Sequence, residues 1–154
     1  MTGPNPTDRG NKIGTKRHVL TDQRGIPVSV VITSANTHDM KAATETLDSV
    51  IVERPLKKQN LCLDEGYDYP EIERESIYQK KIRATYPSQR CGEKELIKLR
   101  YYSAKRWVVI ERTNSWWHNR FRKLLVRYEK KSENYLALVC LACCIIVYRR
   151  IVLG

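Results

Sequence analysis

Two carboxylates occupy positions where carboxylates can do chemistry. Asp64 follows the short apolar stretch Asn60-Leu61-Cys62-Leu63 and precedes Glu65-Gly66, so it sits where a buried strand runs out into a turn. The carboxyl ends of strands are where α/β folds hold ligands and metals. Glu111 comes one step after Ile110 in a long amphipathic pattern, at the margin of its apolar stripe. A helix packed across the sheet brings that margin toward the strand end carrying Asp64. Carboxylates gathered there suit Mg2+, because hard cations take oxygen ligands. Two such ions about 4 Å apart activate a water or a 3′-hydroxyl and stabilise the leaving oxygen of a phosphodiester. A plainer reading stands beside this one, with Asp64 as a turn residue and Glu111 on a solvated helix face.

The charge balance points to the same kind of partner. The 154 residues carry 28 Lys plus Arg against 17 Asp plus Glu, a formal +11. Such an excess argues for a polyanion, nucleic acid more often than an anionic membrane surface. It is also concentrated: the stretch from Arg100 to Lys131 holds ten Lys or Arg and two Glu, a net of +8. A merely solvated helix face would carry acidic partners at i,i+4, and these are nearly missing. Affinity built on such phosphate contacts falls steeply with salt. Trp107 and Trp117 match the buried helical period, whereas Trp116 is left open to stack on a base.

Five cysteines, an odd number without framework spacing, read as a reducing compartment. Cys140-x-x-Cys143 lies inside an apolar run, which favours buried thiols over a redox or metal pair. The first ten residues contain no apolar stretch and do not form a secretion signal. The longest apolar run, Tyr135 to Tyr148, has fourteen residues and suits a buried helix better than a membrane span. The expectation is a cytoplasmic protein with no membrane partner.

The elements that position these residues follow from periodicity. Residues 1–15 read as an irregular arm and 16–154 as one domain. K-R-H-V-L-T-D, the turn Gln23-Arg24-Gly25 and I-P-V-S-V-V-I-T-S-A predict a β-hairpin. Asn36 or Thr37 is the expected cap of a helix whose buried face is Met40, Ala43, Leu47 and Val50. Short strands at 60–63 and 81–86 flank a helix beginning near Pro70 and ending near Lys80, and 87–98 reads as a loop. Trp107, Ile110, Asn114, Trp117, Phe121, Leu124 and Tyr128 predict one long helix, and Ser132 to Val152 a last one, buried nearly all round. This order indicates a mixed α/β layer fold.

Three segments in this order resemble bacterial insertion-sequence transposases of the DDE superfamily, in the insertion-sequence-four/five group: T-G-P-N-P-T-D-R-G-N-K-I-G-T-K-R-H (2–18), L-C-L-D-E-G-Y-D-Y-P (61–70) and R-W-V-V-I-E-R-T-N-S-W-W-H-N-R-F-R-K-L-L-V-R-Y-E-K-K (106–131). The resemblance implies an RNase H-like fold, a mixed sheet flanked by helices, and Mg2+- or Mn2+-dependent cutting and joining of DNA at terminal inverted repeats. It makes Asp64 the second catalytic Asp and Glu111 the catalytic Glu, both metal ligands. Arg106, Arg112, Arg120, Arg122 and Lys123 become the residues that face DNA.

The chain also departs from that pattern. The family's first catalytic Asp lies on a strand upstream of the first motif, where this chain begins, so the expectation is a C-terminal part without its first strand. Asp8, in the arm, and Asp22, at the hairpin turn, are poor substitutes. Around Glu111 the group's signature is Tyr-x2-Arg-x3-Glu-x6-Lys. Here Tyr102, Arg106 and Glu111 are separated by three and four residues, and His118 stands seven after Glu111. Ile110 and one of Trp116 and Trp117 look added, and each added residue turns a helix by about 100°. The reading is therefore a transposase inactive alone. The alternatives are a non-catalytic basic module that binds DNA or interferes with a full-length transposase, or a decayed product that folds poorly. A homo-oligomer, or assembly with full-length transposase, remains open.

Overall fold

The computed structural model describes residues 2–5, 12–53, 59–63, 82–85, 109 and 112–153. The chain divides into two compact units, 1–51 with 109–154, and 52–108. In the first, β1 (Gly3–Pro4), β2 (Ile13–Thr21) and β3 (Pro27–Ser34) form an antiparallel sheet in that order. Helix α1 (Asp39–Asp48) follows, then α2 (residues 112–120), α3 (Arg122–Leu125) and α4 (Ser132–Ile151). In the second unit β4 (Gln59–Cys62) pairs parallel with β5 (Ile82–Thr85), and Leu61 and Ile82 are buried. The architecture is the expected mixed α/β one. The helix expected near 70–80 and the loop at 87–98 lie outside the described residues.

The hairpin forms where its β-branched residues and turn chemistry require. Asp22 accepts the N–H groups of Arg24 and Ile26 on Oδ1, both at 2.8 Å, and Gly25 adopts φ +82°. An Asx turn closed by a left-handed glycine reverses the chain without strain. Strand pairing starts earlier than expected. β2 begins at Ile13, and Gly3–Pro4, within the stretch read as an arm, pairs with Gly14 and Ile13. A Cβ on Gly3 would collide with the Asn36 side chain, so glycine is what lets β1 lie there.

Both faces of the hairpin are covered, which explains the nearly continuous apolar run of β3. On one face Ser29 donates its hydroxyl to the Thr46 carbonyl of α1 at 2.7 Å, and His18 Nε2 lies 2.8 Å from Thr33 Oγ1. Cross-strand neighbours of opposite parity, Arg17 with Ile32 and Val19 with Val30, face the other way. There Ile32 joins Trp117, Leu124, Tyr135, Val139, Ala142 and Ile146 in the core, with Val19 and Val30 packed against it.

Four expectations about helices are corrected. His38, not Asn36 or Thr37, caps α1, taking the Met40 N–H on Nδ1 at 3.4 Å. Thr37 is engaged elsewhere: its N–H closes a turn onto Ser34 and its carbonyl accepts from Lys16. The buried face of α1 is Ala42, Ala43, Thr46 and Leu47, and Val50 falls beyond the helix. The long helix is broken at Phe121 (φ −124°, ψ 71°) and ends at Val126 in extended backbone, which leaves Tyr128 exposed. The carbonyl of Leu124 freed by that ending is taken by the Arg17 guanidinium (3.1 Å) and the Tyr135 hydroxyl (3.2 Å), which satisfies a helix-terminal acceptor. Finally, α4 buries one stripe, Tyr135, Val139, Ala142 and Ile146, while Leu141 is 57% and Tyr148 54% exposed. At twenty residues it is long and apolar enough to cross a membrane by length and composition, yet its buried stripe packs on the core of this unit.

Gly25→Ala tests the turn. The left-handed conformation disfavours a side chain, and the new Cβ would stand 2.9 Å from Thr113 Oγ1. We expect a loss of about 1–3 kcal/mol in urea unfolding. His18 supplies a pH test. Burial pushes its pKa below the ordinary value and Lys16 adds to this, while Asp39 and Glu45 oppose. An unfolded His binds a proton near pH 6.5, so below that pH the unfolded chain carries more protons and stability falls. Tm should drop between about pH 7 and pH 5, with a shallower slope in His18→Gln; equal slopes would refute the burial argument.

Candidate nucleic-acid interface

The E-R-T motif is fastened to the hairpin turn. Arg112 Nη2 donates to the Arg24 carbonyl at 2.6 Å. Thr113, buried to 1% exposure, donates its hydroxyl to the Gly25 carbonyl at 2.7 Å, with the Val109 carbonyl 3.1 Å away. Sequence reasoning assigned Thr113 nothing; its only signal was its place two residues after Glu111. The turn carbonyls lie outside the strand ladder and the buried hydroxyl needs an acceptor, so each satisfies the other.

One turn further along, Trp117 is fully buried, as its period predicted. The Arg17 guanidinium lies 5.4 Å from its ring centroid and also donates through Nη2 to His118 Nε2 at 3.0 Å. His118, the residue standing where the group's signature has Lys, therefore accepts on Nε2 from a residue of β2. Trp116, open to base stacking by sequence, is already engaged: the Arg112 and Arg150 guanidiniums lie 5.4 and 4.5 Å from its ring centroid.

The candidate basic residues separate by task. Arg120, Arg122 and Lys123 are exposed and line one cavity of about 430 Å3, floored by Leu138, Leu141 and Ala142 of α4. Arg112 belongs to the turn and to Trp116 instead. Arg127 bonds the Glu129 and Lys130 carbonyls and the Thr15 hydroxyl and lies over Tyr135, so its cation serves the fold. Arg149 and Arg150, which sequence reasoning passed over, stand beside Trp116 and Arg120 around a second cavity. Their signal was a basic pair in the last turn of an apolar helix. Asp64, Arg106 and Glu111 lie outside the described residues.

The cysteines are not the buried set expected. Cys140 and Cys144 are exposed and Cys62 and Cys143 half-buried; Cys91 lies outside the described residues. The stripe that α4 buries includes none of them, which is why. Burial, with Cys140 and Cys144 adding, pushes the Cys143 thiol up to about 12, which disfavours the reactive thiolate. Among the described residues no group of three or more His, Cys, Asp or Glu is placed to hold a metal ion.

A sheet covered on both faces, a helix anchored to a hairpin turn and exposed arginines beside it make a mixed α/β unit with a basic surface. The transposase DDE domain family matches residues 2–147, and the chain belongs to the DDE transposase family, whose domain is RNase H-like. It is 33% identical over 153 residues to a protein of Burkholderia cepacia named as a transposase for insertion sequence element IS402, covering 96% of this chain and 68% of that one. It is 27% identical over 139 residues to the transposase for insertion sequence element IS1106 of Neisseria meningitidis serogroup B. That match covers 84% of this chain and 46% of the relative. No solved structure matches the chain with significance.

The paired donors on the Leu124 carbonyl permit a double-mutant cycle. In Arg17→Met or Tyr135→Phe the carbonyl keeps one donor, so each single loss should be moderate. With both removed the buried acceptor is orphaned, and the double variant should exceed the sum by about 1 kcal/mol. Additivity in urea denaturation would show that this carbonyl does not hold the end of α3.

Proposed function

We propose that this chain is the part of an insertion-sequence transposase that carries the second Asp and the Glu of the catalytic set and binds DNA at terminal inverted repeats in the bacterial cytoplasm. The observation that carries this is the grouping of Arg120, Arg122 and Lys123 around one cavity, directly after a motif helix fastened to the hairpin. Among the described residues none of the three meets a carboxylate within ion-pair distance. Family membership supplies the rest. In this reading Asp64 and Glu111 hold Mg2+ or Mn2+, oxygen donors of the kind a hard divalent cation takes. When bound, the ion supplies Lewis acidity toward a phosphodiester. The chain's own cations Arg106, Arg120, Arg122 and Lys123 hold and orient the DNA backbone, while Arg112, expected among them, is taken up by the hairpin turn and Trp116.

Strand transfer by this chain alone is not part of the proposal. Neither β2 nor β3 carries an acidic residue, and Asp22 is committed to the hairpin turn. That observation also favours the second reading, a non-catalytic DNA-binding or transposase-interfering module. The purified chain should bind duplex DNA with an affinity that falls steeply as salt rises. It should show no Mg2+-dependent nicking of inverted-repeat DNA. Nicking abolished by Asp64→Asn would overturn the second expectation. In the binding-only reading, Asp64→Ala/Glu111→Ala leaves affinity unchanged or tighter and does not respond to Mg2+.

A further inference from the structure

The basic region read from sequence ends at Lys131, but the structure adds two cations from the far end of α4. A cavity of about 290 Å3 is lined by Trp116, Arg120, Phe121, Ile146, Arg149 and Arg150. It shares Arg120, Phe121 and Ile145 with the larger cavity bordered by Arg122 and Lys123. The two cavities thus carry five cations in sequence around one corner of the unit. Among the described residues none of these five has a carboxylate within 4 Å, the ion pairs present being those of Asp39 with Lys16 and His18. Cations gathered without a counter-charge repel one another, and an anion seated among them relieves that cost.

The arrangement is also ordered. The Arg150 guanidinium lies 4.5 Å from the Trp116 ring centroid, and Trp116 itself packs against the core cluster. Stacking on a ring holds the planar group without neutralising it or using its edge N–H donors. Those donors match the oxygens of a phosphate in a bidentate fork. Cationic side chains near a helix C-terminus also complement the helix dipole, but that role does not require Arg120, from another helix, in the same cavity.

We propose that Arg120, Arg149 and Arg150 form a phosphodiester cradle over Trp116, so that the DNA-binding surface continues onto the last turn of α4. This rests on the DNA-binding reading above and extends it to two residues outside the motif segment. The test is binding of the full chain to a duplex of arbitrary sequence, followed by fluorescence anisotropy across a salt series. Arg149→Ala and Arg150→Ala should each weaken binding and lower the slope of log affinity against log salt by about 1. Lys41→Ala on α1, an equal loss of charge elsewhere, should leave the slope unchanged. Slopes equal to wild type in both arginine variants, with unchanged circular dichroism and Tm, would overturn the cradle. If the alanine variants fail to fold, Arg149→Lys and Arg150→Lys keep the charge but not the fork. They should then bind several-fold more weakly; affinity equal to wild type would count against the proposal. Arginine-dependent binding to phosphatidylglycerol vesicles with an unchanged DNA slope would assign the cluster to a membrane surface instead. Failure of the wild-type chain to bind DNA at any salt would overturn the underlying reading, a result distinct from failure of the cradle alone.

Discussion

The placement of α2 depends on the hydrogen bond from Thr113 to the Gly25 carbonyl, which joins segments 88 residues apart at one buried point. A hairpin turn leaves carbonyls outside the ladder, and a hydroxyl at 1% exposure must find an acceptor. The bond meets both needs, and Arg112 reinforces it on the next carbonyl back. Once α2 is set on the turn, helical spacing places Trp117 one turn later over the sheet, where Arg17 and Ile32 receive it. The same spacing leaves Trp116 half-buried, within reach of Arg112 and Arg150. The special backbone at Gly25 is therefore a condition for the helix that follows Glu111, not only for the hairpin.

Net charge does not by itself say which arginines are available to a partner. Arg17 and Arg127 resemble the others in composition, yet both are turned inward to backbone carbonyls and aromatic rings. Arg112 is shared between the turn and Trp116. Arg120, Arg122, Lys123, Arg149 and Arg150 are exposed at the end of α2, on α3 and at the end of α4. At the end of α3 and in the loop after it, acceptors without helical partners draw the guanidiniums of Arg17 and Arg127 in, whereas Arg149 and Arg150 stay exposed in the last turn of α4.

Much of the architecture could be read from residue pattern. The hairpin was visible because β-branched runs flank the turn Gln23-Arg24-Gly25, and β4 and β5 because short apolar stretches have few alternatives. Trp117 in the core followed from period alone. The break at Phe121 was not visible, since the apolar repeat runs through it to Tyr128 and only the tertiary pull of Arg17 and Tyr135 on the Leu124 carbonyl marks the end. The capping by His38 was hidden for a similar reason: Thr37 is a better cap by type, but Lys16 and Ser34 occupy its backbone. Sequence pointed to the segment with Arg120, Arg122 and Lys123, which the fold gathers around one cavity. It missed Arg149 and Arg150, because proximity across thirty residues is a property of packing. The exposed face of α4 was likewise misread, since apolar composition does not say how much cover a neighbouring sheet provides.

Trp116 connects these layers. Its ring packs against the core cluster, so its position depends on the same helix that Thr113 anchors and the same stripe that α4 buries. Two guanidiniums rest on it, one from the motif helix and one from the chain's last helix. A cation held by an aromatic ring keeps its charge and its edge donors while losing much of its freedom. Arg150 is consequently indexed to the core rather than carried on a free side chain. An interface built in this way gives up less entropy when it meets a phosphate backbone than one of unrestrained lysines. It also makes this corner sensitive to packing beneath it, because a shift of α4 against the sheet carries Arg150 away from Trp116, which α2 holds in place.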